Sequence, residues 1–220
     1  MMLTLHGFDV SNYYNMIKLA LAYKGIEYTK NTVYPNQTPE FLTVSPMGKV
    51  PALETPQGTL CETSVILEYL DTLYPENPIY PSDNFAKAKV KELVKMCELY
   101  IELPARRCHP EAFFGQAVNE LTKKEVKRAL LKGMEGLCRT AKFGPFLAGS
   151  EFSAADIMFL YSADLASVVA QKCFDVDLLA LAPGAKELLA LLAENPHVQK
   201  IAEERKAGNI AFKKYIASLS

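Results

Sequence analysis

The chain has 220 residues, half of them hydrophobic, and carries 24 Lys and Arg against 25 Asp and Glu. This length and apolar content allow one large globule or two modest domains with real cores, and they argue against disorder. The near-zero net charge gives no indication of nucleic acid or an anionic membrane as a partner, so we expect a small-molecule or protein partner.

The first part of the chain has the pattern of a small mixed domain. Residues 3–6 alternate and meet Gly7, which is typical of a short strand entering a turn. A largely apolar helix is predicted from Ser11 to Lys24, where Gly25 supplies a stop, and residues 26–29 alternate as a second strand. A strand, a helix and a strand in this order predict a right-handed crossover and a parallel strand pair.

The next elements complete this domain. A short helix is expected at residues 40–44, and the turn residues 55–58 predict a hairpin between strands at 50–53 and 59–61. A helix over residues 63–73 follows. The order βαβ, connecting helix, ββ, α predicts an α/β domain of thioredoxin-like arrangement over residues 1–75. Pro75, Pro78 and Pro81 then interrupt every periodic pattern, so residues 76–84 are predicted to be a linker.

Residues 85–220 have helical periodicity almost throughout, which predicts an all-helical second domain. Helices are expected at residues 84–102, 122–141, 153–170, 185–193, 197–206 and 210–219. Two of these helix starts carry expected capping boxes, Thr122 with Glu125 and Ser153 with Asp156.

The chain gives no sequence signal for export, a membrane or a metal. Its start lacks the basic region and the long apolar stretch of a secretory signal. The longest apolar stretch, residues 177–193, is broken at Pro183 and Gly184 and falls short of the ~20 residues that a membrane span needs. Five cysteines without CxxC spacing argue against a disulfide framework and a zinc ribbon. We therefore expect a cytoplasmic protein that needs no metal.

Four stretches carry a resemblance along essentially the whole chain. They are residues 5–26 with Ser11 at the first helix start, 45–53 (SPMGKVPAL), 62–70 (ETSVILEYL) and 152–157 (FSAADI). Each stretch is weak alone, but their order and spacing are specific. In them the chain resembles the cytosolic glutathione transferases, most like serine-dependent groups such as the zeta and theta classes.

The resemblance implies that glutathione binds to the first domain as co-substrate. Thr63, at a helix start, would hold the glutamyl carboxylate of glutathione, and Glu62 would hold its ammonium group. The bond between Val50 and Pro51 is expected to be cis, so that the Val50 backbone pairs with the cysteinyl backbone of glutathione. Two further candidates, for the glycyl carboxylate, are Lys49 and Gln37.

The resemblance also places Ser11 on the catalytic serine of the family. A thiol with a pKa near ~8.5 is only slightly ionised at neutral pH, so a hydroxyl and helix N–H groups at Ser11 would stabilise the thiolate. Whether Asn12, Tyr13 or Tyr14 shares or replaces that contact stays open. The electrophile pocket is expected in the second domain, with Tyr100, Arg107 and Phe113 as candidates.

The expected activity is conjugation of glutathione to a small hydrophobic electrophile by a cytoplasmic homodimer, as in detoxification. One alternative is a glutathione-dependent reductase or isomerase, although no cysteine near Ser11 supports thiol reduction. Another is a non-catalytic protein-interaction module of the same fold, against which the complete Val50-Pro51 and Glu62-Thr63 stretches argue.

Overall fold

A computed structural model of the protein describes residues 2–218. The chain divides into two compact units. Met1–Pro78 together with Ala193–Ser220 form the first, here called the sheet unit, and Ile79–Leu192 form the second, the helical unit. The sequence predicts that the C-terminal segment belongs to the helical domain, whereas its contacts group it with the N-terminal sheet.

The sheet unit contains a four-stranded sheet in the order β2-β1-β3-β4. Its strands are β1 (Thr4–Gly7), β2 (Thr29–Thr32), β3 (Ala52–Thr55) and β4 (Gly58–Cys61), with helices α1 (Asn12–Lys24), α2 (Pro39–Val44) and α3 (Thr63–Leu73). The β1 strand pairs in parallel with β2 and antiparallel with β3, and β3 is antiparallel to β4. The predicted thioredoxin-like order is confirmed.

The core of the sheet unit forms where α1 and α3 pack together beside the central strands. Leu5 and Leu53, paired across β1 and β3, are fully buried. Burial of each such side chain contributes about 1.5–3 kcal/mol. At the end of α1 the buried Lys24 Nζ donates to Asp71 Oδ1 at 2.9 Å and to two backbone carbonyls at 3.0 Å, so its charge is satisfied.

The second strand was predicted over residues 26–29, but β2 begins only at Thr29 and ends at Thr32. Ile26 N donates to Leu21 O at 2.9 Å, and Gly25 adopts a left-handed φ of 68°. Ile26 therefore still belongs to the C-terminal cap of α1. All four residues of β2 are exposed, so no apolar alternation marks the true strand.

The most extensively buried helix of the helical unit is α8 (Ala154–Phe174). The helices of this unit are α4 (Asn84–Cys97), α5 (Leu103–Arg106), α6 (His109–Phe114), α7 (Glu120–Thr140), α8 (Ala154–Phe174) and α9 (Ala185–Ala193), the last ending at the unit boundary. Within residues 2–218, α8 alone is long and apolar enough to cross a membrane by length and composition. However, 56% of its apolar window is buried inside the protein, which makes it weak evidence for a membrane span.

The predicted helix over residues 84–102 is not uniform. The α-helix ends at Cys97 and continues as a π-helical turn, Glu98–Glu102, before α5. Pro104 lies just beyond this turn, and a proline excludes the hydrogen bond to the residue four positions earlier. A wider helical turn accommodates this missing bond.

One of the two predicted capping boxes is confirmed. Ser153 N and Ser153 Oγ both donate to Asp156 Oδ2, at 2.8 and 2.9 Å, at the start of α8. The box of Thr122 with Glu125 is wrong, because α7 begins two residues before Thr122. Asn119 is the N-cap there and accepts a hydrogen bond from Thr122 N at 2.8 Å.

A single helix, α10 (Pro196–Ser218), replaces the two predicted at residues 197–206 and 210–219. The sequence predicts a break at residues 207–209, and the structure has none. In the structure α10 runs through Gly208 and packs against α1 of the sheet unit.

Candidate functional site

The strand register brings the expected site residues of the sheet unit to one end of the sheet. Gly7 ends β1, Ala52 begins β3 opposite His6, and Cys61 ends β4 opposite Ala52. The segments joined to these three strand ends therefore leave the sheet together. These segments are the loop before Ser11, the Val50-Pro51 peptide and the Glu62-Thr63 junction. The loop that carries Gln37 leaves the sheet at the same end, because Thr32 at the end of β2 pairs with Gly7.

Ser11 is the N-cap of α1. Its backbone is extended, and its Oγ accepts a hydrogen bond from Tyr14 N at 3.4 Å. Its amide donates to Phe8 O at 3.0 Å, which closes the loop, and its carbonyl accepts from Asn15 N at 3.0 Å. Because Oγ only accepts in its contact with Tyr14, its hydrogen is available to an anion that the helix N-terminus also attracts.

Among the neighbours of Ser11, Tyr14 lies in the core. It is 2% exposed, and its ring lies against Gly7, where a Cβ would come within 2.2 Å of Tyr14 Cδ2. Burial, and then the charges and phenol around it, raise the pKa of Tyr14 far above its ordinary value. Asn12 is also buried, whereas Tyr13 is half-buried. Tyr14 is therefore a core phenol that stays protonated.

The Val50-Pro51 bond is cis, as the resemblance implied. Ser45 closes the preceding turn, because its Oγ donates to Lys49 O at 2.7 Å and accepts from Lys49 N at 3.1 Å. Within residues 2–218 this arrangement leaves the Val50 N–H and C=O without a backbone partner. An extended peptide could pair with them as a strand pairs with a sheet edge.

A close approach of two loops places Gln37 beside this turn. Gly48 has a φ of +61°, and a Cβ there would lie 2.1 Å from Asn36 O, so only glycine fits. Asn36 N donates to Gly48 O at 3.1 Å, and Gln37 Nε2 donates to Met47 O at 3.3 Å. Gln37 and Lys49 are both exposed at the rim that results.

Glu62 and Thr63 form a strained junction between β4 and α3. Glu62 has a φ of 67°, and its carbonyl accepts hydrogen bonds from Val65 N and Ile66 N at 3.0 Å. Such a backbone at a residue other than glycine costs on the order of 1–3 kcal/mol and is found most often at functional sites. Thr63 is the first residue of α3 and is 4% exposed, while Glu62 is exposed.

The three candidates in the helical unit lie on its surface. Tyr100 is 53% exposed in the π-helical turn, and Phe113 is 40% exposed on α6. Arg107 donates to Glu125 Oε2 at 2.8 Å, an ion pair exposed on both sides. Lys172 Nζ lies 5.4 Å from the centroid of the Phe113 ring, within the range of a cation–π contact.

The sequence analysis missed a buried charged cluster beside Ser11. Lys18, in the middle of the apolar α1, has a side chain only 2% exposed. Its Nζ lies 2.5 Å from Asp9 Oδ1 and also contacts Glu204 Oε2 of α10. A lysine inside an apolar helical run was the available signal, since lysine is almost never buried without a partner.

Metal ligands do not gather in the part of the chain that the structure describes. Within residues 2–218 no three or more His, Cys, Asp or Glu side chains form a group that could hold a metal ion.

Comparisons with known proteins identify the family of the chain. The family profile described as glutathione S-transferase, N-terminal domain, matches residues 5–78. A glutathione S-transferase of Pseudomonas putida is 49% identical over 217 residues, which cover 99% of each chain. The glutathione S-transferase zeta class of Euphorbia esula is 32% identical over 162 residues, covering 70% of this chain and 72% of that protein.

A solved structure shares the fold. The glutathione transferase homolog of Sulfitobacter, crystallised with bound glutathione, aligns with a TM-score of 0.74 over 92% of this chain and 98% of that chain. Its sequence identity is 18%, so this likeness concerns the fold alone.

Proposed function

The chain belongs to the glutathione S-transferase family, and from that premise we propose that it conjugates the sulfur of glutathione to a small hydrophobic electrophile, with Ser11 stabilising the thiolate. The observation that carries this proposal is the convergence of Ser11, Val50-Pro51 and Glu62-Thr63 at one end of the sheet. Two helix starts and an unpaired backbone edge there offer matched partners for a charged tripeptide.

The proposed binding mode assigns each part of glutathione to one segment. The Val50 backbone pairs with the cysteinyl residue, because its N–H and C=O lack backbone partners within residues 2–218. The N-terminus of α3 at Thr63 holds the glutamyl carboxylate, and the exposed Glu62 faces the ammonium group. Lys49 and Gln37 are proposed for the glycyl carboxylate, since both line the exposed rim beside the cis peptide.

In the proposed reaction Ser11 affects only the ionisation of the glutathione sulfur. The Ser11 hydroxyl donates a hydrogen bond to the sulfur, and the thiol proton passes to water. The thiolate then attacks the electrophilic carbon, so that a C–S bond forms while the leaving group departs with the electron pair of its bond. Donors aimed at a developing or resident anion are typically worth ~10²–10³ in rate.

Selection of the electrophile is proposed to involve Tyr100, Arg107 and Phe113, and Asn12 and Tyr13 remain candidates beside Ser11. A homodimer is proposed from membership of the family. Light scattering of the purified protein tests the dimer, and a monomeric mass at micromolar concentration would contradict it.

The function is tested by titrating the protein with glutathione in a calorimeter and scanning the complex for thiolate absorbance in the ultraviolet. Wild type is expected to bind glutathione and show the thiolate at neutral pH, and Ser11→Ala to bind but lose the thiolate signal. A survey of electrophiles, mixed disulfides and isomerisation substrates then separates conjugation from reduction or isomerisation. Absence of glutathione binding by wild type would refute the proposed function and favour a non-catalytic module.

A further inference from the structure

The loop that ends at Ser11, residues 8–11, is held by a charged cluster with members on α1 and α10. Lys18 of α1 lies 2.5 Å from Asp9 Oδ1 through its Nζ and also contacts Glu204 of α10. Lys30 of β2 contacts the other carboxylate oxygen of Glu204 at 3.0 Å. A lysine this buried is stable only when its partners replace the lost water, so Asp9 and Glu204 have to stay in place.

The α10 helix also packs directly on this loop. At Gly208 an added Cβ would come within 3.0 Å of Asp9 Cβ, so the backbone of α10 approaches Asp9 as closely as a glycine allows. One turn further on, the ring of Phe212 stacks on Phe8 with centroids 5.1 Å apart. The Tyr215 ring stacks on Tyr34 at 3.9 Å, so the contact extends to the loop that carries Gln37.

Asp9 and Ser11 belong to one short loop, which hydrogen bonds to Asn15 and Phe8 hold in place. Asp9 O accepts a hydrogen bond from Asn15 Nδ2 at 2.9 Å, and Ser11 N donates to Phe8 O at 3.0 Å. A displacement of Asp9 would therefore move the residues on both sides of it, including the Ser11 hydroxyl.

We propose that Lys18 and Glu204 are positioning residues for Ser11, which place its hydroxyl against the glutathione sulfur by tying α10 to the 8–11 loop. This inference rests on the proposed function for the identity of the ligand. Neither residue is a catalytic residue, because each acts through Asp9. The arrangement makes the C-terminal helix part of the thiolate site without supplying any group that touches the sulfur.

Charged and titratable groups surround this cluster from every packed element. They are Asp9 from the loop, Lys18 and Tyr14 from α1, Tyr28 and Lys30 from the β2 region, and Glu204 from α10. Burial and then the Glu204 and Asp9 charges raise the pKa of Tyr28 to about 12, so this phenol stays neutral at physiological pH. The charges that hold the loop at neutral pH are therefore two carboxylates and two lysines.

The first test removes the ion pairs in Glu204→Gln and in Lys18→Met, with Glu203→Gln as the matched control on the exposed side of α10. The pKa of the bound glutathione thiol is measured from thiolate absorbance against pH, and glutathione affinity is measured by calorimetry. The two cluster variants are expected to raise the thiol pKa by about one unit, a ~10-fold loss in the ionised ratio. Glutathione affinity is expected to change much less, because its proposed anchors lie on other segments.

The second test displaces α10 without altering charge. Gly208→Val forces a branched side chain toward Asp9, and Ala207→Val is the control because Ala207 is exposed. Valine has a higher helix propensity than glycine, so α10 itself is not weakened. Gly208→Val is expected to shift the thiol pKa in the same direction as Glu204→Gln, and Ala207→Val to leave it unchanged.

A third measurement does not depend on glutathione. Amide hydrogen exchange at Ser11 in the unliganded protein is expected to be faster in Glu204→Gln and Gly208→Val than in their controls. If wild type fails to bind glutathione, the proposed function is refuted, and the exchange data still decide whether the cluster holds the loop. Unchanged exchange at Ser11 in folded variants, or an unchanged thiol pKa, would overturn the positioning role.

Discussion

The Ser11 Oγ accepts a hydrogen bond from the Tyr14 amide at 3.4 Å, so one hydroxyl caps α1 and keeps its own hydrogen free to donate. Capping uses the oxygen lone pair, whereas stabilising a thiolate would use the O–H. The two roles are chemically compatible. The cap contributes to stability and the O–H to the ionisation of the sulfur, and replacing Ser11 removes both contributions together. A comparison with a helix cap elsewhere in the chain separates them.

Ser11→Ala is expected to lower the free energy of unfolding by about 0.5–2 kcal/mol, the usual loss for a helix cap. It is also expected to reduce kcat/KM for conjugation by ~10²-fold, because a donor to the sulfur is lost. Asp83→Ala is the control, since Asp83 caps α4 by accepting from Ala86 N at 2.8 Å. Urea denaturation and steady-state kinetics should show equal stability losses but a rate loss in Ser11→Ala alone. A rate loss of similar size in both variants would contradict the role of Ser11.

Tyr14→Phe is expected to leave the ionisation of bound glutathione unchanged. The Tyr14 side chain is buried, and its ring packs against Gly7 rather than reaching the surface beside Ser11. Thiolate absorbance in Tyr14→Phe, with Tyr13→Phe for comparison, checks this expectation. Loss of the thiolate signal in Tyr14→Phe would mean that the Tyr14 phenol turns toward the ligand on binding.

Much of this arrangement could be predicted from local sequence. The cap at Ser11, the turn before Val50-Pro51 and the cap at Ser153 depend on residues a few positions apart, so local chemistry encodes them. The order of elements predicted the parallel pair of the first two strands and the antiparallel hairpin of the last two, whereas the pairing of β1 with β3, which brings the loops to one end of the sheet, is seen only in the structure.

The rest depends on contacts between distant residues. The α10 helix belongs to the sheet unit because Glu204 and Gly208 meet Lys18 and Asp9, almost two hundred residues earlier in the chain. Nothing in the local pattern of α10 encodes these partners. The strained φ of Glu62 is similarly imposed by the surrounding fold, since no glycine marks that position.

Thr63→Val is expected to weaken glutathione binding by about 1–1.4 kcal/mol, roughly 5- to 10-fold, because a hydroxyl partner of the glutamyl carboxylate is lost. Valine has nearly the same shape, so packing at this buried helix start is kept. Thr72→Val is the control, as Thr72 Oγ1 donates to Glu68 O at 2.9 Å on the exposed side of α3. Calorimetric titration measures both, and equal affinities in the two variants would argue against a ligand contact at Thr63.

Asp156→Ala is expected to destabilise the helical unit by about 3 kcal/mol or more. Asp156 is fully buried and accepts from Leu147 N at 2.7 Å and from both the amide and hydroxyl of Ser153. Each buried donor left unsatisfied costs about 1–3 kcal/mol. Asp177 is the exposed N-cap of a short 3-10 helix, Leu178–Leu181, and Asp177→Ala is expected to cost far less. Urea denaturation compares the two variants, and similar unfolding midpoints for both would refute a structural role for the buried Asp156 carboxylate.

The contribution of Glu204 to stability is expected to depend on pH. Burial opposes its charge, but hydrogen bonds from Lys18 and Lys30 outweigh that effect and lower the pKa of Glu204 below its ordinary value of 4.5. A carboxyl with a lowered pKa in the folded state stabilises the protein above the unfolded pKa, and this contribution is lost as pH falls through the folded pKa. Glu204→Gln should therefore be clearly less stable than wild type at pH ~7, with a difference that shrinks as the pH is lowered below about 4.5.

The exposed neighbour Glu203 provides the comparison for this pH dependence. Denaturation of Glu203→Gln is expected to follow wild type at every pH, because that side chain is exposed. If the gap between Glu204→Gln and wild type stayed constant from neutral to acid pH, the loss would come from packing rather than charge. A gap that closes on acidification means that the ion pairs of Glu204 with Lys18 and Lys30 hold α10 against α1 and β2 within the sheet unit.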